Sequence, residues 1–172
     1  MKTLAVLFND LLSLSTSSFA EGSFHEDKAK AEKGDASAQF NLGLRYAIGT
    51  GVARDDVEAM KWIRKAADQG NAKSQLCLGV CYAAGNGVAK DEVEAVKWFR
   101  KAALQGEAKA QYNLGFCYAK GTGVAEDDAE AVKWIRKAAD QGNSSAQFNL
   151  GFCYFNGKGV AEDYVEAVKW FR

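Results

Sequence analysis

Four cysteines are the side chains with the most scope for chemistry in this chain of 172 residues. They are Cys77, Cys81, Cys117 and Cys153, and the last three lie 36 residues apart. A thiolate is both a nucleophile and a metal ligand, and two neighbouring thiols can form a disulfide. The regular spacing therefore allows four roles for the thiols: reaction as nucleophiles, metal binding, disulfide formation, or packing alone.

Acidic pairs and glycine-rich turns are the other candidates for chemistry. They are Asp55-Asp56, Asp127-Asp128 and the G-T-G-V stretches at 49–52 and 121–124. The carboxylate pairs resemble those of acid–base catalysis. The glycines lack the G-x-x-x-x-G-K-[ST] spacing of a phosphate loop and the third glycine of G-x-G-x-x-G. The single histidine, His25, leaves no serine with a base for a catalytic triad. We expect no catalytic residues and no cofactor.

The charge balance excludes two classes of partner. Lysine plus arginine number 22, as do aspartate plus glutamate, which gives a formal net charge of zero. We therefore expect no nucleic-acid partner and no polybasic membrane patch. The chain has no proline and 17 glycines, which favours helices that end at glycine.

Residues 1–20 differ in composition from the rest. Lys2 precedes two apolar runs, and Ser18-Phe19-Ala20 resembles a signal-peptidase site, with cleavage after Ala20. Polar residues interrupt the apolar runs, so a cytosolic leader remains the alternative. The segment is too short and too interrupted to span a bilayer, and we expect no membrane insertion. This pattern predicts export to the periplasm or beyond, with a cytoplasmic location as the alternative.

A period of 36 residues organises the remainder of the chain. The landmarks are Gln39, Gln75, Gln111 and Gln147; Leu42, Leu78, Leu114 and Leu150; Gly43, Gly79, Gly115 and Gly151; Tyr46, Tyr82, Tyr118 and Tyr154; and Trp62, Trp98, Trp134 and Trp170. So many positions in one register indicate a structural repeat.

The first half of each repeat has the pattern of an amphipathic helix. In residues 143–157, Ala146, Leu150 and Tyr154 follow at helical spacing on one face, together with Gly151. Glycine lowers helix propensity by about 1 kcal/mol relative to alanine, so we expect it to mark a close approach of a neighbouring helix. The half ends at a G-x-G-V turn, whose glycines supply the positive φ that stops a helix.

The second half begins at an acidic cap and continues as a second helix. The D-x-x-E pairs are Asp55 with Glu58, Asp91 with Glu94, Asp127 with Glu130 and Asp163 with Glu166. We interpret them as capping boxes, in which aspartate accepts from the backbone and glutamate reaches back to it. Ala59, Trp62, Ile63, Ala66 and Ala67 follow as a buried face.

These halves predict an all-α protein of antiparallel helix pairs stacked as a solenoid. The predicted segments are a capping helix at 21–34 and repeats at 35–70, 71–106, 107–142 and 143–172. The last repeat stops before its second helix finishes. Its open end is a candidate surface for pairing, or a sign that the chain is a structural piece of a larger array.

The repeat pattern resembles a known family. A-x-A-Q-x-N-L-G-x-x-Y-x-x-G-x-G-V-x-x-D-x-x-E-A-x-K-W-x-R-K-A-A-x-Q-G is similar to the Sel-1-like repeat, a relative of the tetratricopeptide repeat, over residues 35–172. The resemblance implies a right-handed α-solenoid that serves as a scaffold or adaptor for proteins, in bacteria often an exported one. It does not identify a partner.

A stripe of apolar residues on the first helices is the candidate partner-binding site. The stripe consists of Phe40, Leu44, Leu76, Val80, Tyr112, Phe116, Phe148 and Phe152. By analogy with tetratricopeptide repeats, it faces the concave side and binds a protein or peptide. The alternative is packing between neighbouring repeats. The recurrent Asn41, Asn113 and Asn149 allow two roles as well, a contact with a peptide backbone or a bond between adjacent helices.

The repeat also bears on the thiols. Equivalent cysteines on neighbouring helices are separated by about 8–10 Å or more, whereas a disulfide needs α-carbons within about 7 Å. Cys77 and Cys81 lie one turn apart on one helix and are poorly aimed for a bond. Zinc requires four convergent ligands. We expect no metal site and small, semi-buried thiols.

Two other functions remain as alternatives to a non-enzymatic adaptor. Some exported members of the family carry a disulfide in each repeat and interact with β-lactams. This chain has Ala67 and Gln75 at the matching positions, so that reading is disfavoured. The other alternative is a purely structural piece of a larger repeat protein.

Overall fold

The computed structural model describes residues 23–172, and this part of the chain forms nine α-helices. They are α1 (Phe24–Glu32), α2 (Ala36–Ile48), α3 (Asp56–Asp68), α4 (Ala72–Ala84), α5 (Glu92–Leu104), α6 (Ala108–Lys120), α7 (Asp128–Asp140), α8 (Ser144–Asn156) and α9 (Tyr164–Trp170). The predicted all-α class is confirmed. The predicted signal segment, residues 1–20, lies outside the described residues. None of the described helices is long and apolar enough to cross a membrane.

The chain divides into two compact units at Asp91. In the described part of the first unit, α1 packs on α2, α2 on α3 and α3 on α4. In the second unit, α5 packs on α6, and each helix from α6 onward packs on its successor. The helices are arranged as sequential antiparallel pairs with a repeat of 36 residues, as predicted.

Glycine lets the two helices of a pair approach closely. A β-carbon added to Gly43 of α2 would lie 2.7 Å from Ile63 Cγ1 of α3 and 3.0 Å from the Ala59 carbonyl oxygen. Gly115 of α6 has the same relation to Ile135 of α7. Real β-carbons do not approach neighbours this closely. The predicted role of this glycine register is confirmed.

The G-x-G turn joins repeats as well as helices. The first glycine ends each first helix in the left-handed conformation, for example Gly121 at φ +62°. The second glycine, Gly123, lies so close to the α5 N-terminus that a β-carbon there would stand 2.1 Å from the Glu92 carbonyl oxygen. Gly159 has the same relation to Asp128, at 2.2 Å. The turn of one repeat therefore rests on the backbone of the repeat before it.

The acidic caps follow only half of the predicted capping box. Asp55 accepts hydrogen bonds from the Val57 and Glu58 amides, as predicted. Glu58 does not reach back, because its carboxylate accepts a hydrogen bond from Lys61, at 2.8 Å. The Asp55 amide donates instead to the carbonyl oxygen of Tyr46, at 2.9 Å. The carbonyl of the preceding helix therefore accepts the hydrogen bond from the Asp55 amide that Glu58 was predicted to accept. This bond connects the end of α2 to the start of α3.

Two side-chain bonds explain why glutamine recurs in every repeat and tyrosine from the second repeat onward. Gln75 Nε2 donates to the carbonyl oxygen of Ala67, at 3.1 Å, which ties a buried glutamine to the end of the preceding helix. Arg100 Nη2 donates to the hydroxyl of Tyr118, at 2.5 Å, and its guanidinium lies 5.7 Å from the ring centroid. These bonds link the second helix of one repeat to the first helix of the next.

Helix α1 is held against α2 by a buried ion pair. Arg45 Nε donates to Asp27 of α1, and both residues are buried. Arg45 occupies the register that Cys81, Cys117 and Cys153 occupy in the later repeats. The short α1 itself begins with a complete capping box, formed by Ser23 and Glu26.

Candidate functional site

The eight residues of the predicted apolar stripe differ in exposure between the two units. In the first unit, Phe40, Leu44 and Leu76 are buried and Val80 is half-buried. In the second unit, Tyr112 is half-buried and the three phenylalanines are exposed. Their exposed fractions are 45% for Phe116, 62% for Phe148 and 52% for Phe152. The part of the stripe that a partner can reach in this structure therefore lies on α6 and α8.

These exposed side chains border a groove between α6 and α8. Phe116 and Phe152 stand on its two sides, and Ile135 of α7 lies beneath them. The groove has a volume of about 240 Å³. Its lining residues, which define the α6–α8 groove, are Phe116, Ala119, Lys120, Ile135, Asn149, Phe152, Cys153 and Lys158.

A second depression continues the α6–α8 groove toward the start of α8. It is lined by Tyr112, Ser144, Ser145, Phe148 and Asn149, so Asn149 borders both. Asn149 Nδ2 donates to the hydroxyl of Tyr112, at 3.1 Å. This bond joins adjacent first helices, which is the second of the two roles proposed for the asparagine register.

The local sequence fixes both walls of the groove. Asn143 caps α8 by accepting from the Ala146 amide, at 2.9 Å, and Gly157 ends it at φ +62°. On the other side, Gly115 lets α6 lie directly on α7, which brings Ile135 to the floor of the groove. Phe148 and Phe152 therefore project from a helix that is capped at both ends, and Phe116 projects from a helix that is packed closely on α7.

Two lysines stand at the end of the groove where α6 finishes. Lys120 is the last residue of α6 and is exposed. Lys158, in the turn after α8, forms an ion pair with Asp128, with 3.2 Å between Nζ and Oδ1. Among residues 23–172, no acidic side chain lines the α6–α8 groove. This end of the groove is therefore cationic.

The surroundings of three of the four cysteines suppress ionisation of the thiol. Cys77, Cys81 and Cys117 are buried and Cys153 is half-buried. Burial raises the pKa of Cys81 to about 12. Burial, with a smaller effect from the Glu92 charge, raises the pKa of Cys117 to about 11. Burial also raises the pKa of Cys153, with smaller and opposed effects from Asp128 and Lys158. Since the thiolate is the reactive form, these groups are poor nucleophiles at neutral pH.

The acidic pairs have structural roles. Asp127 caps α7 by accepting from the Glu130 amide, at 2.9 Å, and Asp128 pairs with Lys158. In the first unit, Asp56 pairs with Arg54. Within residues 23–172, no group of three or more histidine, cysteine or acidic side chains is placed to hold a metal ion.

Comparison with known proteins decides the family. The Sel1 repeat matches this chain at residues 36–71, 72–107, 108–143 and 144–172. The chain belongs to the Sel1 repeat family. The resemblance described from the sequence is thereby confirmed, and these four segments cover almost all of the helical part.

Three proteins are similar to this Sel1 repeat protein in sequence or in structure. The secretory immunoglobulin A-binding protein EsiB of Escherichia coli O6:H1 strain CFT073 is 45% identical over 64 residues, which are 37% of this chain and 13% of EsiB. The solved structure of c5321, described as a protective antigen present in uropathogenic Escherichia coli strains, has 47% identity and a TM-score of 0.83 over 87% of this chain and 32% of that one. A Sel1 repeat protein from Oxalobacter formigenes has 37% identity and a TM-score of 0.77, over 86% and 63% of the two chains. This chain spans about a third of c5321 and a smaller part of EsiB.

The cationic end of the groove was missed by the sequence reasoning. The positions equivalent to Lys120 are Ile48, Ala84 and Asn156, and those equivalent to Lys158 are Thr50, Asn86 and Thr122. Both lysines thus interrupt a register that is otherwise uncharged. A comparison of what differs between repeats, rather than what recurs, could have singled them out.

Proposed function

We propose that this Sel1 repeat protein is a non-enzymatic binding module that docks a protein partner on the α6–α8 groove. One observation carries the proposal: Phe116 and Phe152 are half exposed, whereas Leu44, their counterpart in the first repeat, is 1% exposed. Large aromatic side chains that border a groove and remain open to solvent are typical of contact surfaces.

The relatives support a protein as the partner. EsiB is named for binding secretory immunoglobulin A, and c5321 is described as a protective antigen. Neither description transfers a particular partner to this chain, which spans only part of each relative. What they support is the class of function, contact with another protein. The protonated thiols and the structural roles of the carboxylates support binding rather than catalysis.

An affinity pull-down from the native cell tests the proposal. The full chain is compared with Phe116→Glu/Phe152→Glu, and bound proteins are identified by mass spectrometry. Val93→Glu/Leu104→Glu is the matched control, because both residues are exposed and apolar in the same unit but do not line the groove. Circular dichroism establishes that all three proteins are helical. We expect a partner that the wild type and the control retain and the groove variant loses. A groove variant that keeps every partner would refute the proposal.

Export of the chain is a separate proposal, supported by the signal-like pattern of residues 1–20. Cell fractionation followed by N-terminal sequencing tests it. A mature protein that begins at Glu21 in the periplasm or the medium is the expected result. A cytosolic protein that begins at Met1 would refute it.

A further inference from the structure

The side chains along the α6–α8 groove are arranged in three successive layers. Each layer contains one residue from each helix. The layers are Tyr112 with Phe148, Phe116 with Phe152, and Lys120 with Asn156. Residues four apart on a helix share a face and are about 6 Å apart along its axis. The chemistry of the surface thus changes from aromatic to cationic over three equally spaced layers.

This step matches the geometry of an extended peptide. In an extended chain, side chains two residues apart point to the same side and lie about 6.6 Å apart. A segment that runs along the groove therefore places its residues i, i+2 and i+4 opposite the three layers. The intervening residues point away and are not selected.

The first two layers present aromatic rings to a bound segment, and Ser144 and Ser145 flank the first of them. Phe116, Phe148 and Phe152 are exposed, and Ile135 forms an apolar floor. The groove and the depression that continues it have volumes of about 240 Å³ and 360 Å³, and together they extend along both aromatic layers.

The third layer selects a carboxylate. The Lys120 side chain forms no hydrogen bond or ion pair with the described residues, and Lys158, although paired with Asp128, keeps 43% of its side chain exposed. The fold does not require a cation at the end of a first helix, because α2 ends at Ile48 and α4 at Ala84. A lysine in the last turn of a helix usually compensates the helix dipole. Because α2 and α4 end without one, this role does not explain Lys120.

We propose that the α6–α8 groove recognises an extended protein segment that runs in the direction of α6, in which two apolar residues and an acidic residue alternate with unselected ones in the order apolar-x-apolar-x-acidic. This inference rests on the proposed function and adds the chemistry of the partner. The apolar residues lie against the two aromatic layers, and the carboxylate lies at Lys120.

Fluorescence anisotropy with synthetic peptides tests the inference on the full chain. Two labelled peptides share the core leucine-serine-leucine-serine and end in glutamate or lysine, and a third places the two leucines next to each other. The proteins are the wild type, Lys120→Glu and the control Lys73→Glu, which makes the same charge change at a lysine that does not line the groove. We expect the wild type and the control to bind the glutamate peptide about threefold tighter than the lysine peptide, as an exposed ion pair allows. Lys120→Glu should reverse this preference, and the adjacent-leucine peptide should bind more weakly than the glutamate peptide.

The outcomes separate this inference from the proposed function. Equal binding of the two charged peptides by the wild type, or a glutamate preference that survives Lys120→Glu, overturns the inference. If no peptide binds but the cellular partner still depends on Phe116 and Phe152, the inference fails and the proposed function stands. If Phe116→Glu/Phe152→Glu binds the glutamate peptide as tightly as the wild type, the groove is not the binding surface and both fail.

Discussion

Gly115 of α6 lies so close to Ile135 of α7 that a β-carbon at residue 115 would stand 2.7 Å from Ile135 Cγ1. The same β-carbon would lie 2.9 Å from the Ala131 carbonyl oxygen. Since a backbone oxygen of a packed helix cannot move aside cheaply, the absence of a side chain at residue 115 is what sets the distance between α6 and α7. It also brings Ile135 to the floor of the groove.

Gly115→Ala is therefore expected to destabilise the protein, although alanine is the better helix former. The gain in helix propensity is about 1 kcal/mol, and overpacking of a close helix contact costs about 1–3 kcal/mol. We expect a net loss of about 1 kcal/mol in the free energy of unfolding, measured by urea denaturation. The double variant Gly115→Ala/Ile135→Ala should lose less than the sum of the single changes, because Ile135 Cγ1 is then absent. A stabilised Gly115→Ala would contradict the close contact.

The ion pair between Asp27 and Arg45 should be costly to break on one side only. Asp27→Leu removes the carboxylate that pairs with a buried guanidinium, and we expect a loss of about 3 kcal/mol in the free energy of unfolding. Asp27→Leu/Arg45→Cys replaces both charges and restores the residue type that the later repeats carry in this register. Chemical denaturation should show the double variant to be more stable than Asp27→Leu alone. A double variant that is less stable would mean that the two side chains act independently.

The variant Ser74→Ala is expected to be more stable than the wild-type protein. The hydroxyl of Ser74 is buried and makes no hydrogen bond, whereas the other repeats have the buried residues Ala38, Ala110 and Ala146 there. Removing a buried unsatisfied hydroxyl should raise the free energy of unfolding by about 1 kcal/mol. Ser145→Ala, at an exposed serine of α8, is the control and should change stability by only a few tenths of a kcal/mol. An equal effect of the two substitutions would show that burial of the hydroxyl has no cost.

The raised thiol pKa values predict slow alkylation. At pH 8, iodoacetamide should modify Cys81 and Cys117 about 100-fold more slowly in the folded chain than in urea, because the thiolate is scarce and buried. Cys153, which is only half-buried, should react first. Peptide mapping by mass spectrometry gives the order, and an early reaction at Cys81 would contradict the predicted one.

The same shift predicts a loss of stability in alkali. The folded pKa of Cys81 is about 12, above the ordinary value of 9.0, so the unfolded chain releases this proton first as the pH rises. The contribution of this thiol is therefore complete below pH 9 and declines as the pH rises from 9 toward 12. Between pH 8 and pH 10, Cys81→Ala should lose less of its unfolding free energy than the wild type does. If the unfolding free energies of the two proteins fall equally with pH, this thiol does not contribute to the pH dependence of stability.

The fold could be predicted from the sequence to a large extent, because its determinants are local and repeat. The positive φ of Gly121, the close contact of Gly115 and the cap at Asp127 each follow from one residue type at one position. With a period of 36 residues, each inference is made four times and the errors of single positions cancel. The Glu58 half of the capping box was wrong because the Tyr46 carbonyl accepts from the Asp55 amide and the neighbouring Lys61 binds the Glu58 carboxylate.

The candidate site was harder to predict, because exposure depends on what covers a side chain and not on its own type. Leu44 and Phe116 occupy one register and both are apolar, yet the first is buried and the second is 45% exposed. The sequence pattern treats them alike. Lys120 was overlooked for a related reason, because a pattern of recurring residues omits a residue that occurs once in its register. Residues of this kind are the ones that distinguish the surface of one repeat from that of another.

The junction between repeats has an evolutionary consequence. Gly123 rests on the carbonyl of Glu92 and Gly159 on that of Asp128, and the recurrent glutamines and tyrosines bond across the same two junctions. None of these groups is among the phenylalanines and lysines that line the groove. Unequal recombination that inserts, deletes or exchanges one 36-residue unit would therefore regenerate an intact junction on each side. The surface presented to partners can then diversify unit by unit, at a rate that the stability of the stack does not limit.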